Sequence, residues 1–561
     1  MIFNLILLFC FYFLITFSVI GYGSFFYRLV SKDKLINIGL KGLFGFYILI
    51  IYSYISHFFI SHNLLHNTLI LLLGILLFIF SQKKELNKKL FLILLINFSI
   101  IFIGLLIFKT HDDFPYYHFA YSIYITQEPM IIGIGQFNHG FRTHSSIFYL
   151  NSLFYLPFIK YYSFYIPTLL ILGFSNLIFL SNINHHLKKK NINYIFYLSI
   201  LFFVFFNIFF YRIQEHGTDR SAQILISILL IQFFYLISFY KDSKFQINFI
   251  LIILGLIISL KAFYVLYLIF FFPFIWILLK EKKLDLLRYI LKSPFFYIFL
   301  LLFFLIISVY FFNTGCLVYP VSFTCFNNFE WSIGIDETIK MNNHYQLWSK
   351  AGKTPNFLID DPEIYLKNFN WVSNWIDLYF FNKVSDFLFG LLILCFFIFI
   401  IFRNKNINKK KKSIKLSYIY LTYVFIFILL FEWFLNHPAL RYGGYILIAS
   451  IIFIPFSIIL EKQQILFSKI KPKLKFIILL TIVIFVTRNS LRIHDEMDKY
   501  NYKPLTETFY YVDQKHFRIS NLFKDLIENF DNCKNEVNIC DDKLSKKVKE
   551  FYPNRYIFIN D

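Results

Sequence analysis

Two adjacent carboxylates and two histidines occur in the segment Lys109-Thr-His-Asp-Asp-Phe-Pro-Tyr-Tyr-His-Phe, which follows an apolar run. The adjacent carboxylates of Asp112 and Asp113 repel each other. Holding both beside a medium of low dielectric constant costs free energy unless a cation, a metal ion or a shared proton relieves it. With His118 nearby, such a pair suits a general base or a metal ligand. The alternative is a solvated loop with an acidic helix cap, and the sequence leaves both open.

Further polar side chains lie where other apolar runs end. A guanidinium can bind a phosphate through two parallel hydrogen bonds, and an ionisable residue at membrane depth usually marks a site. More ordinary roles stay open: capping by Ser145 or Ser146, ion pairing within residues 212–220, and snorkelling of a lysine to the surface. The candidate ligand-binding residues are His118, His139, Arg142, Arg220, Lys261 and Arg441.

The elements that must position these residues are membrane helices. The chain has 561 residues, of which 58% are hydrophobic, and its mean hydropathy is +0.61. Lipid is therefore the expected solvent for most of the chain. The net charge of +22 does not indicate a nucleic-acid partner, because the basic residues form short clusters between apolar runs.

A helix needs about 20 mostly apolar residues to cross a bilayer. By that criterion we predict an all-α polytopic protein with about fourteen transmembrane helices. The apolar runs lie near residues 2–20, 43–60, 64–80, 90–108, 160–180, 192–211, 221–240, 247–260, 263–279, 295–312, 386–402, 416–435, 441–460 and 475–487.

Two independent signals predict the orientation. Basic clusters, including Lys83, Lys84, Lys188 to Lys190 and Lys409 to Lys412, all fall on one side of this arrangement, which is the cytoplasmic side by the positive-inside rule. Two close cysteine pairs fall on the other side, where disulfides persist. The pairs are Cys316 with Cys325 and Cys533 with Cys540. We therefore expect a bacterial inner-membrane protein with both termini in the periplasm.

These boundaries divide the chain into five parts. Residues 1–89 hold additional N-terminal helices, and residues 90–312 hold a transmembrane core with a first outer loop at 109–144. Residues 313–383 are predicted to form a small helical cap, with four tryptophans suited to the lipid headgroup level. Residues 384–487 hold the last transmembrane helices, and residues 488–561 form a periplasmic tail.

Together, the acidic pair after a helix, the lysine between two short helices and the late Arg-Tyr resemble the type C membrane glycosyltransferase superfamily over residues 90–450. This resemblance implies a GT-C-like helix arrangement. It also implies that Asp112 or Asp113 deprotonates an acceptor or binds a metal, and that Lys261 and Arg441 grip the phosphate of a polyprenyl-phosphate sugar. The chain departs from the family in its three additional N-terminal helices and in having Asp-Asp where Asp-Glu is commoner.

A closer resemblance links the runs His-Asp-Asp-Phe-Pro-Tyr-Tyr-His, Asn-His-Gly-Phe-Arg and Gly-Cys-Leu-Val-Tyr-Pro to uncharacterised bacterial multi-pass membrane proteins. That resemblance implies no activity.

We therefore expect a glycosyltransferase acting at the periplasmic face, with membrane lipids and a polyprenyl-phosphate-linked sugar as partners and no nucleic acid. A lipid, a glycan or a protein can be the acceptor, and a divalent metal at Asp112 and Asp113 is left open. The absence of a Gly-rich nucleotide cradle fits a lipid-linked donor.

The alternative function is a transporter, flippase or polymerase of lipid-linked oligosaccharides, for which we would expect ionisable residues near helix midpoints. A surface receptor with a Trp-rich cap is a third alternative, but it would not need the acidic pair.

Overall fold

The computed structural model describes residues 3–31, 37–82, 87–238, 243–354, 357–404, 416–463, 466–535, 540–553 and 555–559. Several of the predicted cytoplasmic lysines lie outside these residues, namely Lys83, Lys84 and Lys409 to Lys412. The described part of the chain is built from helices, with two short hairpins.

The α-helices are, in chain order, α1 (Phe3–Val30), α2 (Ile38–His57), α3 (Leu64–Gln82), α4 (Lys88–Phe102), α5 (Phe119–Gln127), α6 (Ile134–Phe137), α7 (Ser146–Leu153), α8 (Ile166–Lys188), α9 (Tyr194–Phe209), α10 (Gly217–Ser238), α11 (Ser243–Leu260), α12 (Phe271–Lys280), α13 (Leu284–Lys292), α14 (Pro294–Thr314), α15 (Ile335–Ser349), α16 (Pro362–Leu366), α17 (Val372–Trp375), α18 (Ser385–Phe402), α19 (Leu416–Asn436), α20 (Gly444–Lys462), α21 (Phe467–Tyr500), α22 (Gln514–Asn535) and α23 (Asp542–Ser545). The strands are β1 (Lys353–Thr354), β2 (Phe357–Leu358), β3 (Val548–Tyr552) and β4 (Arg555–Phe558), and β1 pairs antiparallel with β2, as β3 does with β4.

The all-α polytopic class is confirmed. Among the described residues, 11 helical segments are long and apolar enough to cross a membrane. Two shorter apolar helices, Tyr194–Phe209 and Lys244–Leu260, coincide with two more of the predicted runs. The remaining predicted run, 475–487, lies within α21, which is not among these candidate spans.

The sequence predicts that the periplasmic tail begins after Thr487, but the helix does not end there. The helix α21 continues to Tyr500 because no Gly or Pro interrupts the sequence between these two residues. It ends at Asn501, whose φ of 52° is a left-handed conformation that helix C-termini commonly use.

The ends of α14 follow ordinary capping rules. The Ser293 hydroxyl accepts a hydrogen bond from the backbone N–H of Phe295, and Pro294 occupies the first helical position, where its missing N–H costs nothing. Gly315 follows the helix with a φ of 76°, which a residue without a Cβ adopts readily. Both caps agree with the predicted span at 295–312.

The additional N-terminal helices pack closely on one another. A Cβ built on Gly23 would lie 1.7 Å from the carbonyl oxygen of Lys41, and one built on Gly45 would lie 1.9 Å from that of Val19. Glycine at both positions lets the backbones of α1 and α2 approach, as is common between helices in membranes.

The C-terminal segment packs back on the first outer loop. The N–H of Tyr511 donates to the carbonyl of Phe108 at 2.9 Å, and the N–H of Phe558 donates to that of Ile132 at 2.9 Å. The region predicted as a periplasmic tail thus contacts the first outer loop and the residue before Lys109.

The cap at 313–383 contains α15, the β1–β2 hairpin, α16 and α17. Two of its four tryptophans, Trp371 and Trp375, are buried against Phe434. The indole N–H of Trp375 donates to the carbonyl of Pro438 at 3.1 Å, which joins the cap to the turn after α19.

Both predicted disulfides are confirmed. Cys316 is bonded to Cys325, and Cys533 is bonded to Cys540. The first closes a loop at the start of the cap, and the second closes the connection after α22.

Candidate functional site

Four charged side chains from distant parts of the chain meet at one end of the helical bundle. Asp113 follows α4, Asp219 lies in the first turn of α10, Lys261 follows α11 directly, and Arg441 lies between α19 and α20. We call these four residues the ionic site. Each sits at or beyond a helix end, where the backbone leaves the packed bundle.

Lys261 and Asp219 form the inner pair of the ionic site. The Lys261 ammonium donates a hydrogen bond to the Asp219 carboxylate, and the two side chains are only 30% and 16% exposed. The same ammonium lies 4.6 Å from the centre of the Tyr442 ring, a cation–π contact. A helix break at Lys261, whose backbone is extended, gives the side chain this direction.

Arg441 and Asp113 form the outer pair. The Nη1 atom of Arg441 lies 3.7 Å from Oδ2 of Asp113, and Nη2 donates to the Tyr442 hydroxyl at 2.8 Å. The Gln223 side chain fixes the backbone here, because its amide donates to the carbonyl of Arg441 and its oxygen accepts from the N–H of Ile446. The guanidinium is half-exposed and keeps donors free for a ligand.

The two adjacent aspartates have different surroundings. Asp112 is 86% exposed, and its nearest cation is Lys109 at 3.8 Å. Asp113 is 37% exposed and lies 3.7 Å from both Arg441 and His111 Nδ1. Its side chain makes no capping hydrogen bond to the helical turn that follows, so the helix-cap explanation does not apply to it. The geometry therefore favours Asp113 over Asp112 as the reactive carboxylate.

His118 lies beside the ionic site as a neutral ring. Burial lowers the pKa of His118 to about 4, although the neighbouring Asp113 opposes the change. Its Nε2 atom is shielded from solvent and has no hydrogen-bond partner in the part of the chain that the structure describes. A buried ring nitrogen without a partner is costly, and a substrate hydroxyl would satisfy it.

The other three predicted ligand-binding residues lie elsewhere. Arg142 is committed to a link with the cap, because it donates to Glu337 at 2.9 Å and to the carbonyl of Gly135 at 3.0 Å. His139 lies beside this link, and burial and the Arg142 charge lower its pKa. Arg220 lies over the ring of Phe210 and donates to the carbonyl of Arg212. Each of these three thus has contacts with groups outside the ionic site.

The helix α15 covers the site. Glu337, near its start, holds Arg142 of the first outer loop. The pKa of Tyr345, further along the helix, is raised by burial first and then by the hydroxyls of Tyr319, Tyr117 and Tyr442, so its ring lies close to the site. The cap therefore lies beside the ionic site.

Sequence reasoning missed two of the groups that matter most. Asp219 was considered only for ion pairing within 212–220, and Tyr442 entered only as part of the late Arg-Tyr motif. The available signal for Asp219 was its place in the first turn of a span, directly beside Arg220. Adjacent residues on a helix point in different directions, so only one of the two can face the site.

Within the described residues, no group of three or more His, Cys, Asp or Glu side chains is arranged to hold a metal ion. Asp113 is instead surrounded by Arg441 and His111. The arrangement gives no support for a metal site at Asp112 and Asp113.

The fold and the ionic site define a polytopic helical membrane protein with a cluster of charged side chains at one end of its bundle. The chain belongs to the family described as a domain of unknown function, DUF8201, whose sequence profile matches residues 3–448. No curated protein and no solved structure matches the chain. The family match includes all four residues of the ionic site and ends before α21.

Proposed function

We propose that the protein is a membrane glycosyltransferase. It transfers a sugar from a polyprenyl-phosphate-linked donor to a lipid, glycan or protein acceptor at the periplasmic face of the inner membrane. The observation that carries this proposal is the convergence of one accessible carboxylate, Asp113, with the cations of Arg441 and Lys261. Transfer of a sugar from a phosphate needs a base that accepts the proton of the acceptor hydroxyl, and cations that stabilise the negative charge of the departing phosphate.

The reaction is a displacement at the anomeric carbon. Asp113 accepts the proton of the acceptor hydroxyl while the acceptor oxygen forms a bond to that carbon. The bond from the anomeric carbon to the phosphate oxygen breaks, and its electron pair leaves with the phosphate. Arg441 and Lys261 stabilise this charge, and Asp219 holds Lys261 in place through their hydrogen bond.

The position of the charges supports an enzyme over a transporter. All four residues of the ionic site lie at helix ends or in the segments between helices. Lipid-linked substrates present their phosphates at this depth, whereas transport sites lie near the bilayer midplane.

The predicted orientation can be tested directly. In a Cys10→Ser, Cys395→Ser background, Asp112→Cys should react with a membrane-impermeant thiol reagent in intact spheroplasts, because Asp112 is highly exposed. Labelling that requires lysis would place the site in the cytosol and refute the periplasmic assignment.

The activity is tested with the paired variants Asp113→Asn and Asp112→Asn in cells lacking the native copy. Polyprenyl-linked sugars and surface glycans are then profiled by mass spectrometry. We expect Asp113→Asn to reduce the transferred sugar by about 10²-fold or more, the usual contribution of a general base. Asp112→Asn is the matched control and should transfer normally.

Two outcomes would count against the proposal. If Asp113→Asn inserts and folds but leaves every glycan unchanged, the transferase assignment is wrong. If Asp113→Asn instead leaves the glycans intact but changes the side of the membrane on which lipid-linked oligosaccharide is found, compared with the native chain, the protein is a flippase.

A further inference from the structure

A second cation lies under the cap, beyond the ionic site. Lys350 is the first residue after α15 and is only 3% exposed. Its ammonium donates to the Gln346 side-chain oxygen at 2.8 Å and lies 5.1 Å from the centre of the Trp371 ring. Neither partner carries a negative charge.

Lys350 has no counter-charge in the described part of the chain. The nearest groups are neutral, and burial alone lowers the pKa of its ammonium to about 8, with no carboxylate opposing the change. Buried ammonium groups are ordinarily paired with an acid, because an unpaired one loses its hydration without compensation. The carboxyl end of α15 and the Trp371 ring offset only part of this cost.

His437 lies between Lys350 and the ionic site. The Trp371 ring under the Lys350 ammonium packs on Trp375. The indole N–H of Trp375 donates to the carbonyl of Pro438, the residue after His437.

Burial, and then the charges of Lys350 and Lys261, lower the pKa of His437 to about 4. Its Nδ1 atom is shielded from solvent and has no hydrogen-bond partner among the described residues. The ring also packs beside Tyr442, 5.7 Å between centroids. With the proton of the neutral ring on Nδ1, this N–H can donate a hydrogen bond to an oxyanion.

We propose that Lys350 and His437 form a second anion-binding subsite, which holds a negatively charged oxyanion of the substrate, a phosphate ester or a carboxylate, beneath the cap. Its assignment to the substrate rests on the proposed function, since Arg441 and Lys261 already hold the donor phosphate there. The substrate would then carry a second negative charge on the sugar or the acceptor.

The proposal is tested with the full chain purified in detergent. Thermal stability is measured against increasing inorganic phosphate and, separately, against glucuronate, with sodium chloride at matched ionic strength as the reference. Phosphate reports a phosphate ester and glucuronate reports a sugar carboxylate. The variants are Lys350→Met, Arg441→Gln and, as a matched control on the same helix, Lys340→Met, whose side chain is exposed.

We expect Lys350→Met to be at least as stable as the native chain without added anion, because it removes an uncompensated buried charge. We also expect it to bind the preferred anion about tenfold more weakly or worse, which corresponds to one lost charge-assisted hydrogen bond. Lys340→Met should change neither property, and Arg441→Gln should keep the part of the response that depends on Lys350.

Several results would overturn the subsite. A Lys350→Met chain that is destabilised or fails to fold would show that Lys350 serves only to complete α15. An anion response that is absent from the native chain, or retained in Lys350→Met, would exclude binding at Lys350. Loss of the whole response in Arg441→Gln alone would place all anion binding at the ionic site, which leaves the proposed transferase intact.

Discussion

The pair formed by Lys261 and Asp219 allows stability and function to be separated in one set of variants. Asp219→Asn leaves the Lys261 ammonium 30% exposed, with the Tyr442 ring as its remaining contact. Removing one partner of a fully buried pair costs about 3–5 kcal/mol. Because this pair keeps some access to solvent, we expect a loss of about 2 kcal/mol in the free energy of unfolding.

The double variant Asp219→Asn, Lys261→Met removes both charges. Replacing a buried pair with uncharged groups is often close to neutral, so we expect its stability to return to within about 1 kcal/mol of the native chain. Lys261→Met leaves the Asp219 carboxylate unpaired and only 16% exposed, so we expect it to cost about 2 kcal/mol as well. The coupling, which is the change in the double variant minus the changes in the two single variants, is then about 3–4 kcal/mol, well above the additivity error for independent sites.

The assay combines unfolding in SDS-containing mixed micelles with the cellular glycan profile for each of the four proteins in the cycle. We expect the double variant to regain stability but not sugar transfer, because the departing phosphate still lacks the Lys261 charge. A double variant whose loss of stability equals the sum of the two single losses would show that the two residues do not act as a pair. Restored transfer in the double variant would show that the Lys261 cation has no part in the chemistry.

Three shorter predictions concern the cap, a histidine and a disulfide. Glu337→Gln removes the charge that pairs with Arg142 at 2.9 Å. Limited proteolysis should then cut residues 313–383 several times faster than in the native chain. Unchanged cleavage would show that this ion pair does not hold the cap. Burial lowers the pKa of His437 to about 4 in the folded chain, against an ordinary value of 6.5. Between these pH values the unfolded chain binds more protons, so stability falls as pH falls through the window. His437→Gln should lessen this loss in melts from pH 7 to pH 4, and an unaltered pH profile would contradict the assignment. Replacing Cys533 and Cys540 together with serine should cost about 2 kcal/mol or less, seen as a lower melting temperature, because the bridge closes a short loop in the segment that supports the first outer loop; an equal melting temperature would show that this segment does not limit stability.

The sequence by itself determined the class of the protein. Apolar runs of membrane length predicted the helices, because in lipid every backbone group must be hydrogen-bonded within the helix. Close spacing in polar segments predicted the Cys316–Cys325 and Cys533–Cys540 bonds. The sequence also identified three of the four residues of the ionic site, Asp113, Lys261 and Arg441. They are charged residues at the ends of predicted membrane helices, where a charge near lipid is costly and usually marks a site.

Tertiary structure alone decided which of these charges act together. Asp112 and Asp113 are neighbours in sequence, but only Asp113 lies beside Arg441, and Asp219 rather than Arg220 faces Lys261. The residue type of Arg142 suits a phosphate ligand, but its guanidinium donates to Glu337, which lies almost two hundred positions away in the chain. A sequence records the side chains and their local helical direction, whereas electrostatic interactions depend on distances across helices, and packing of the whole bundle sets those distances.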